Sequence, residues 1–206
     1  MRQIKHFIAG EFTDAASGVR FNKHSPLDNS VICSVSEAGR GEVDAAVSAA
    51  RTALQGEWGR LGTEQRVELL YGVANEITRR FDDFVEAEMS DTGQPEHVMK
   101  HVFIPRGAAN FKVFADVIKN VASEAFPMDT PDGRGALNYT LRRPKGVIGV
   151  VCPWNAPFML MTWKVGPALA CGNTVVVKPS EESPQTATLL GEVMNAVGIP
   201  KGVYNV

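Results

Sequence analysis

The chain has 206 residues, of which 44% are hydrophobic and 21% are charged, and it includes 19 glycines. This composition excludes a wholly disordered chain, and the length suits about one domain and a third at roughly 150 residues per domain. Lys and Arg total 21 against 23 for Asp and Glu, which gives a formal charge of -2. There is therefore no basic surplus that would attract nucleic acid or an anionic membrane surface.

The amino-terminal segment and the cysteines indicate the compartment. The apolar runs are much shorter than the ~20 residues of a bilayer span, and residues 1–12 carry charged side chains where a signal peptide needs an apolar stretch. The three cysteines are odd in number and lack metal-ligand spacing, so we expect neither a disulfide framework nor a required metal. The three cysteines are Cys33, Cys152 and Cys171. We expect a cytoplasmic protein.

The first part of the sequence predicts a hairpin followed by helices. His6–Thr13 is typical of a hairpin that turns at Gly10, and Val31–Val35 of another strand. Apolar residues at helical spacing then predict three helices. The first runs from Gly41 to Gly56, the second begins from an N-cap at Thr63, and the third covers Phe81 to Met89 and ends at Thr92-Gly93. Their predicted buried faces contain Val43, Ala46, Val47, Ala50 and Leu54 in the first helix, and Val67, Leu70, Ala74 and Ile77 in the second.

The middle of the chain predicts a helix and a projecting strand. Pro105 is expected at the first position of the helix. Residues 122–135 are rich in turn formers, and Ala136–Arg143 then alternates apolar with polar side chains. The apolar members are Leu137, Tyr139 and Leu141. This alternation is typical of a half-exposed strand whose edge needs a partner.

The last third predicts a parallel sheet. Gly146–Val151 and Asn173–Val177 are Val-rich runs typical of strands covered on both faces, and a helix over Phe158–Ala170 joins them. A further helix is expected to begin with Ser183 as its cap. Val203–Val206 then begins another strand, whose edge we expect to be unpaired. The pattern indicates an α/β fold.

Polar loops follow both Val-rich strands, where open α/β sheets bind their ligands. Asn155 lies between two prolines after the first strand, and its amide suits a carbonyl oxygen that becomes negative. The alternative is that Asn155 caps the next helix. After the second strand, Lys178 and Glu181 suit the hydroxyls of a ribose. Solvated loop charges are the alternative there.

The same segments closely resemble the NAD(P)-dependent aldehyde dehydrogenase family. RPKGVIGVVCPWNAP (143–157) and WKVGPALACGNTVVVKPSE (163–181) carry a resemblance that extends over the whole chain but only over the amino-terminal part of the family's length. IPRGAANF (104–111) and TPDG (130–133) are most similar to the branch that oxidises 2-hydroxymuconic or 2-aminomuconic semialdehyde in aromatic-ring degradation.

The resemblance implies the domain organisation. Residues 1–121 and 145–206 would form the amino-terminal portion of a Rossmann-like NAD-binding domain, which is incomplete in this chain. Residues 122–144 would form a β arm for oligomerisation, and the catalytic domain would be absent from the chain.

The resemblance also implies a covalent mechanism. A cysteine thiolate attacks the aldehyde, the thiohemiacetal passes a hydride to nicotinamide, and a Glu-activated water releases the acid. Asn155 matches the family's oxyanion donor. The cofactor NAD would be bound by Val151, Cys152, Pro153, Trp154, Lys178, Ser180 and Glu181.

Three further expectations concern ionisable residues. Lys164 matches a family lysine proposed for proton relay, with a lysine snorkelling from a buried helix as the alternative. Asp91 matches a residue near a cation site in some members, with a helix cap or a loop salt bridge as the alternative. Arg106 is predicted to bind a substrate carboxylate alongside Asn155, because a cation in the first turn of a helix suggests an anion nearby. A solvated surface Arg is its alternative.

The family's catalytic cysteine and general-base Glu match nothing here, and the three cysteines present are expected to be small buried hydrophobes. We therefore expect an amino-terminal part of an NAD-dependent oxidoreductase that is inactive alone and oxidises a small-molecule aldehyde when full length, as a homodimer or homotetramer. The alternative is a non-catalytic nucleotide-binding or assembly module on the same scaffold.

Overall fold

The computed structural model describes residues 2–206. Its elements begin with β1 (Arg2–Ile4), β2 (His6–Ile8), β3 (Glu11–Thr13), β4 (Arg20–His24), β5 (Val31–Ser36), α1 (Arg40–Gln55), α2 (Glu57–Arg60), α3 (Thr63–Arg79) and α4 (Phe81–Thr92). They continue with α5 (Glu96–Val98), a π-helical turn (Met99–Phe103), α6 (Ile104–Lys119), β6 (Ala125–Met128), β7 (Ala136–Tyr139), β8 (Val147–Val151), α7 (Pro157–Ala170), β9 (Thr174–Lys178), α8 (Gln185–Val197) and β10 (Tyr204–Asn205).

The amino-terminal strands form a hairpin and a small mixed sheet. The β2–β3 hairpin turns through Ala9 and Gly10, which both have positive φ, as the prediction of a turn at Gly10 requires. In the mixed sheet, β5 pairs with β1 in parallel and with β4 in antiparallel orientation. Neither β1 nor β4 was predicted, because their sequences lack apolar alternation.

The parallel sheet has the order β10-β9-β8, and α7 and α8 connect its strands. The predicted strand–helix–strand unit is therefore confirmed. The expectation of an unpaired edge at Val203–Val206 is wrong, because Phe7 and Val206 exchange two backbone hydrogen bonds of 3.0 and 2.8 Å. The hairpin thus covers this edge of the sheet.

Helices α3, α6, α7 and α8 surround the main core. The predicted stripe of α3 is fully buried at all four positions, Val67, Leu70, Ala74 and Ile77. Trp58 is wholly buried as well, and its indole nitrogen donates to the backbone oxygens of Gly172 and Asn173 at 3.1 and 3.0 Å. This contact ties the short helix α2 to the turn that leads into β9.

The helix around Pro105 begins earlier than predicted. The helical path runs from Glu96 through the π-helical turn into α6, so Pro105 lies inside it and not at its first position. The Ile104 N–H donates to the oxygen of Met99, which is the wider spacing of a π-turn. A π-turn next to a proline accommodates the missing N–H and the bulk of the ring.

The β6–β7 hairpin projects from the helices. Its strand β6 lies within the segment described as rich in turn formers, for which no strand was predicted, and β7 is shorter than the predicted strand. Four of its large apolar side chains are exposed: Phe126, Met128, Leu137 and Tyr139. Leu141, just beyond β7, is exposed too. The apolar face predicted for this strand thus lies in solvent.

Four smaller predictions are corrected. Val43 is exposed, because α1 buries its alanines instead. The N-cap of α3 is Gly62, not Thr63, and the N-cap of α8 is Pro184, not Ser183. Cys171 is exposed at the end of α7, whereas Cys33 and Cys152 are buried as expected. Within residues 2–206, no helix has the length and apolarity needed to cross a membrane.

Candidate functional site

Two loops leave the same edge of the parallel sheet. Residues 152–156 follow β8, and residues 179–184 follow β9, its parallel neighbour. The Cys152 N–H donates to the oxygen of Lys178 at 3.0 Å, which joins the loops where they begin. Because the carboxyl ends of parallel strands are where open α/β sheets bind ligands, this edge is the candidate site.

A cleft of about 1040 Å³ lies beside the second loop. It separates the outer faces of β8 and β9 from α1 and the amino-terminal strands. Gly149 and Val151 are exposed on this side, so the prediction that β8 is covered on both faces is wrong. The cleft brings together four of the predicted cofactor residues: Val151, Lys178, Ser180 and Glu181. Asn155, Arg106 and Lys164 do not line it.

Asn155 presents its side chain without capping α7. The N-cap of α7 is Ala156, and no side chain bonds there. Asn155 is exposed, and within residues 2–206 its side-chain amide has no hydrogen-bond partner. Its backbone oxygen accepts a hydrogen bond of 2.8 Å from the Gln94 side chain. The capping alternative for Asn155 is therefore wrong, and the amide remains available as a donor.

The two neighbours of Asn155 differ in exposure. Trp154 is 64% exposed, whereas Pro153 is half-buried. Lys164 is exposed on α7, and its ammonium donates to the oxygen of Val151 at 2.6 Å. Lys164 thus supports the end of β8, which is compatible with both the relay and the snorkelling interpretation.

Lys178 and Glu181 form an ion pair of 3.0 Å with side chains that are 66% and 65% exposed. The backbone N–H of Glu181 and then the Lys178 ammonium hold the pKa of the Glu181 carboxyl below its usual value. Glu181 is therefore an ionised acceptor at neutral pH. Ser180 is buried, and its hydroxyl accepts from the Glu182 N–H at 3.2 Å, which shapes the turn.

Arg106 lies on α6 with its guanidinium 5.8 Å from the ring centre of Trp163 on α7. The argument from a helix N-terminus is wrong, because the helical path begins ten residues before Arg106. At the next residue, Gly107, a Cβ would lie 2.4 Å from the ring of Phe158, so α6 contacts the first turn of α7 there.

Asp91 is a helix cap. It is 3% exposed, and its oxygens accept from the backbone N–H of Gln185 at 2.9 Å and from the Gln185 side chain at 2.7 Å. Burial raises the pKa of Asp91 to about 6. Among residues 2–206, no group of three or more His, Cys, Asp and Glu side chains could hold a metal ion.

Sequence reasoning missed Glu88, which is wholly buried. Its Oε1 accepts from the Phe158 N–H at 3.1 Å, and its Oε2 has no partner within the part of the chain that the structure describes. Burial raises the pKa of Glu88 to about 8. The signal was the position of Glu88 four residues after Phe84, on the buried face of α4.

The buried cysteines are poor nucleophiles. Burial raises the pKa of both the Cys33 and the Cys152 thiol to about 11, which keeps them protonated at neutral pH. Cys171 ends α7, a helix of 14 residues whose opposite end carries the Asn155 loop. At 1.5 Å per residue, Cys171 lies about 20 Å from that loop.

Comparisons with known proteins agree with this geometry. The family model described as "Aldehyde dehydrogenase family" matches residues 12–206 of this chain. A 2-hydroxymuconic semialdehyde dehydrogenase of Pseudomonas sp. (strain CF600) is 65% identical over 206 residues, which is all of this chain and 42% of that protein. A 2-aminomuconic 6-semialdehyde dehydrogenase of Pseudomonas sp. is 53% identical over 205 residues, or 41% of its length.

A solved NAD+ complex of an aldehyde dehydrogenase from Bacillus cereus has the same architecture. It superposes with a TM-score of 0.94 at 35% identity, over 99% of this chain and 41% of that one. The chain therefore spans about two fifths of the length of these relatives. The fold, the loops at the sheet edge and the family match over residues 12–206 agree: this chain belongs to the aldehyde dehydrogenase family.

Proposed function

We propose that this chain is part of an NAD-dependent dehydrogenase that oxidises a muconic semialdehyde from aromatic-ring degradation to the carboxylic acid. The observation that carries the proposal is the unpartnered Asn155 amide in the first of two loops at the carboxyl edge of a parallel sheet, where a cleft lies beside the second loop. The semialdehyde dehydrogenases named above, similar over the full chain, support the substrate class. They do not favour the alternative of a non-catalytic module.

The residues present fit NAD. Gly149 faces the cleft with open space, since a Cβ there would meet no atom within 4 Å. We assign Val151, Cys152, Pro153 and Trp154 to the backbone run along the cofactor. The ionised Glu181, with Lys178 beside it and Ser180 shaping the turn, would accept hydrogen bonds from a ribose diol. When bound, NAD accepts the hydride that leaves the aldehyde carbon.

Asn155 would stabilise the negative oxygen. As a nucleophile attacks the aldehyde carbon, the carbonyl oxygen gains charge, and the side-chain amide of Asn155 donates a hydrogen bond to it. Lys164 would take part in proton relay from its place at the end of β8. Neither buried cysteine suits the nucleophile, and Cys171 lies at the wrong end of α7. We therefore propose that the nucleophile and the general base belong to the remaining length of the family and that residues 1–206 alone are inactive.

Arg106 would bind the carboxylate that a muconic semialdehyde carries in addition to its aldehyde. Its guanidinium is exposed, and the aromatic face of Trp163 holds it on the side where α6 meets the first turn of α7. A guanidinium can bind a carboxylate with two parallel hydrogen bonds. In contrast, Asp91 is occupied as a cap, so a cation contact there would compete with Gln185.

The domain division and assembly form part of the same proposal. Residues 1–121 and 145–206 would bind the cofactor, and the exposed apolar face of the β6–β7 hairpin would pair with another subunit in a homodimer or homotetramer. The three free thiols suit the reducing cytoplasm.

The test uses the full-length protein that contains this chain. Formation of NADH from NAD and 2-hydroxymuconic semialdehyde is expected, and Asn155→Ala should lower kcat by about 10²-fold or more. Arg106→Ala should raise KM for the carboxylate-bearing substrate far more than KM for a simple uncharged aldehyde. No NADH from the wild-type protein would contradict the proposed reaction. An equal loss on both substrates would contradict the role of Arg106.

A further inference from the structure

Two side chains from one stretch of chain hold the Asn155 loop and the first turn of the helix that follows it. Gln94, in the turn after α4, donates from Nε2 to the backbone oxygen of Asn155 at 2.8 Å. Glu88, near the end of α4, accepts at Oε1 from the Phe158 N–H at 3.1 Å. Asn155 thus has a side-chain hydrogen bond on its own backbone oxygen, and a capped helix starts two residues after it.

We propose that Gln94 and Glu88 are positioning residues that fix the direction in which Asn155 presents its amide. This inference rests on the proposed function, because it assumes that Asn155 is the oxyanion donor. It goes beyond that function by naming the groups through which the rest of the fold controls the donor.

The local geometry leaves this task to the two side chains. Pro153 has no N–H, and within residues 2–206 the contact from Gln94 is the one hydrogen bond to the Asn155 backbone. Trp154 and Asn155 are both exposed, so packing does not restrain these two residues, although Cys152 and Ala156 on either side of them are buried. A donor that must meet a developing charge needs its direction fixed before the reaction, since a small misplacement costs rate.

Glu88 holds the first turn of α7, which follows the loop, and the burial of its carboxyl group is energetically unfavourable. The whole side chain is buried, and its Oε2 has no partner among the described residues. Burial raises the pKa of this carboxyl to about 8, so it is mainly protonated at neutral pH. A buried, half-satisfied acid is unfavourable, and its contact with the first turn of α7 gives a reason for its presence.

The experiment is a double-mutant cycle in the full-length dehydrogenase. Gln94→Glu keeps the shape but replaces the donating amide with an ionised acceptor. We expect kcat to fall about tenfold with KM for NAD unchanged, and no further fall when Gln94→Glu is added to Asn155→Ala. Gln94→Lys, which restores an N–H donor, should recover most of the loss. Gln65→Glu is the matched control, because it adds the same charge at an exposed position while keeping the acceptor that caps α3.

Glu88 is tested by the same measurements and by amide hydrogen exchange. Glu88→Gln preserves an acceptor for Phe158 and should keep kcat and the slow exchange of the Phe158 amide, whereas Glu88→Ala should lose both. If Glu88→Ala does not fold, the Gln94 cycle decides alone. Additive effects in that cycle, or an unchanged kcat in Gln94→Glu, would overturn the inference while leaving the proposed function intact. An unchanged kcat in Asn155→Ala would instead remove the proposed role of Asn155, and the inference with it.

Discussion

The Oε1 atom of Glu88 lies 3.1 Å from the backbone nitrogen of Phe158, so a carboxyl group from α4 satisfies an N–H in the first turn of α7. One turn later, Asp91 does the same for the first residue of α8, Gln185, at 2.9 Å. Neither α7 nor α8 has a capping side chain at its own N-cap position. A single helix thus caps both helices that cross between strands of the parallel sheet.

Glu88→Gln should remove a pH dependence of stability. The pKa of Glu88 is about 8 in the folded protein against an ordinary value of 4.5. Between these values the folded state keeps a proton that the unfolded state releases, so the free energy of unfolding falls as pH rises and levels off above about 8. Gln cannot ionise. Urea unfolding should find the variant close to wild type near pH 4.5 and more stable by on the order of a few kcal/mol at pH 8.

Asp91 provides an internal reference for that comparison. Its pKa, raised by burial to about 6, produces a fall in stability in part of the same pH range. Since Asp91 is present in both proteins, its contribution largely cancels in their difference. Parallel curves for wild type and Glu88→Gln across this range would contradict the buried, protonated state of Glu88.

Much of the fold follows from local sequence patterns. The elements that these patterns did not predict depend on contacts with other parts of the chain. The α3 stripe and the Val-rich strands have periodicities that their own residues determine. By contrast, β4 contains polar residues at most positions, and its pairing with β5 makes it a strand. The π-turn before Pro105 also depends on how α6 packs, which no local pattern encodes.

The functional site also has parts that the sequence predicts and parts that it does not. The two loops were predictable, because polar residues after Val-rich strands mark the ligand-binding edge of a parallel sheet. Glu88 and Gln94 were not singled out, although they contact the first turn of α7 and the Asn155 loop from more than 60 residues away in sequence. The available signal was an acidic residue on the apolar face of α4. This signal indicates a buried acid but does not indicate which group the acid contacts.

Asp91→Ala should destabilise the fold by about 1–3 kcal/mol. The change removes the cap of α8 and leaves the buried Gln185 side chain with only its longer contact of 3.3 Å to the Ser90 hydroxyl. Asp44→Ala is the control, because it breaks only an exposed i,i+4 pair with Arg40 and should leave the midpoint of urea unfolding nearly unchanged. Equal midpoints for Asp91→Ala and wild type would show that Asp91 does not stabilise α8.

Two glycine substitutions should have opposite outcomes. In Gly107→Ala the new Cβ would lie 2.4 Å from the Phe158 ring, so α6 and α7 must separate at a cost of about 1–3 kcal/mol. In Gly149→Ala the new Cβ meets no atom within 4 Å, and stability should change little. Thermal unfolding distinguishes the pair. A Gly107→Ala protein as stable as Gly149→Ala would contradict the close approach of the two helices.

Glu181→Gln should weaken the preference for NAD over NADP. The ionised carboxylate accepts hydrogen bonds from a free ribose diol and repels a 2'-phosphate, while the adjacent Lys178 attracts that phosphate and limits the discrimination. The ratio of kcat/KM for NAD to that for NADP in the full-length enzyme should therefore fall several-fold. Glu182→Gln is the matched control, because Glu182 has the same charge one residue further on but is paired with Lys23. If both variants kept the wild-type ratio, or if Glu182→Gln changed it more, Glu181 would not be the residue that binds the ribose.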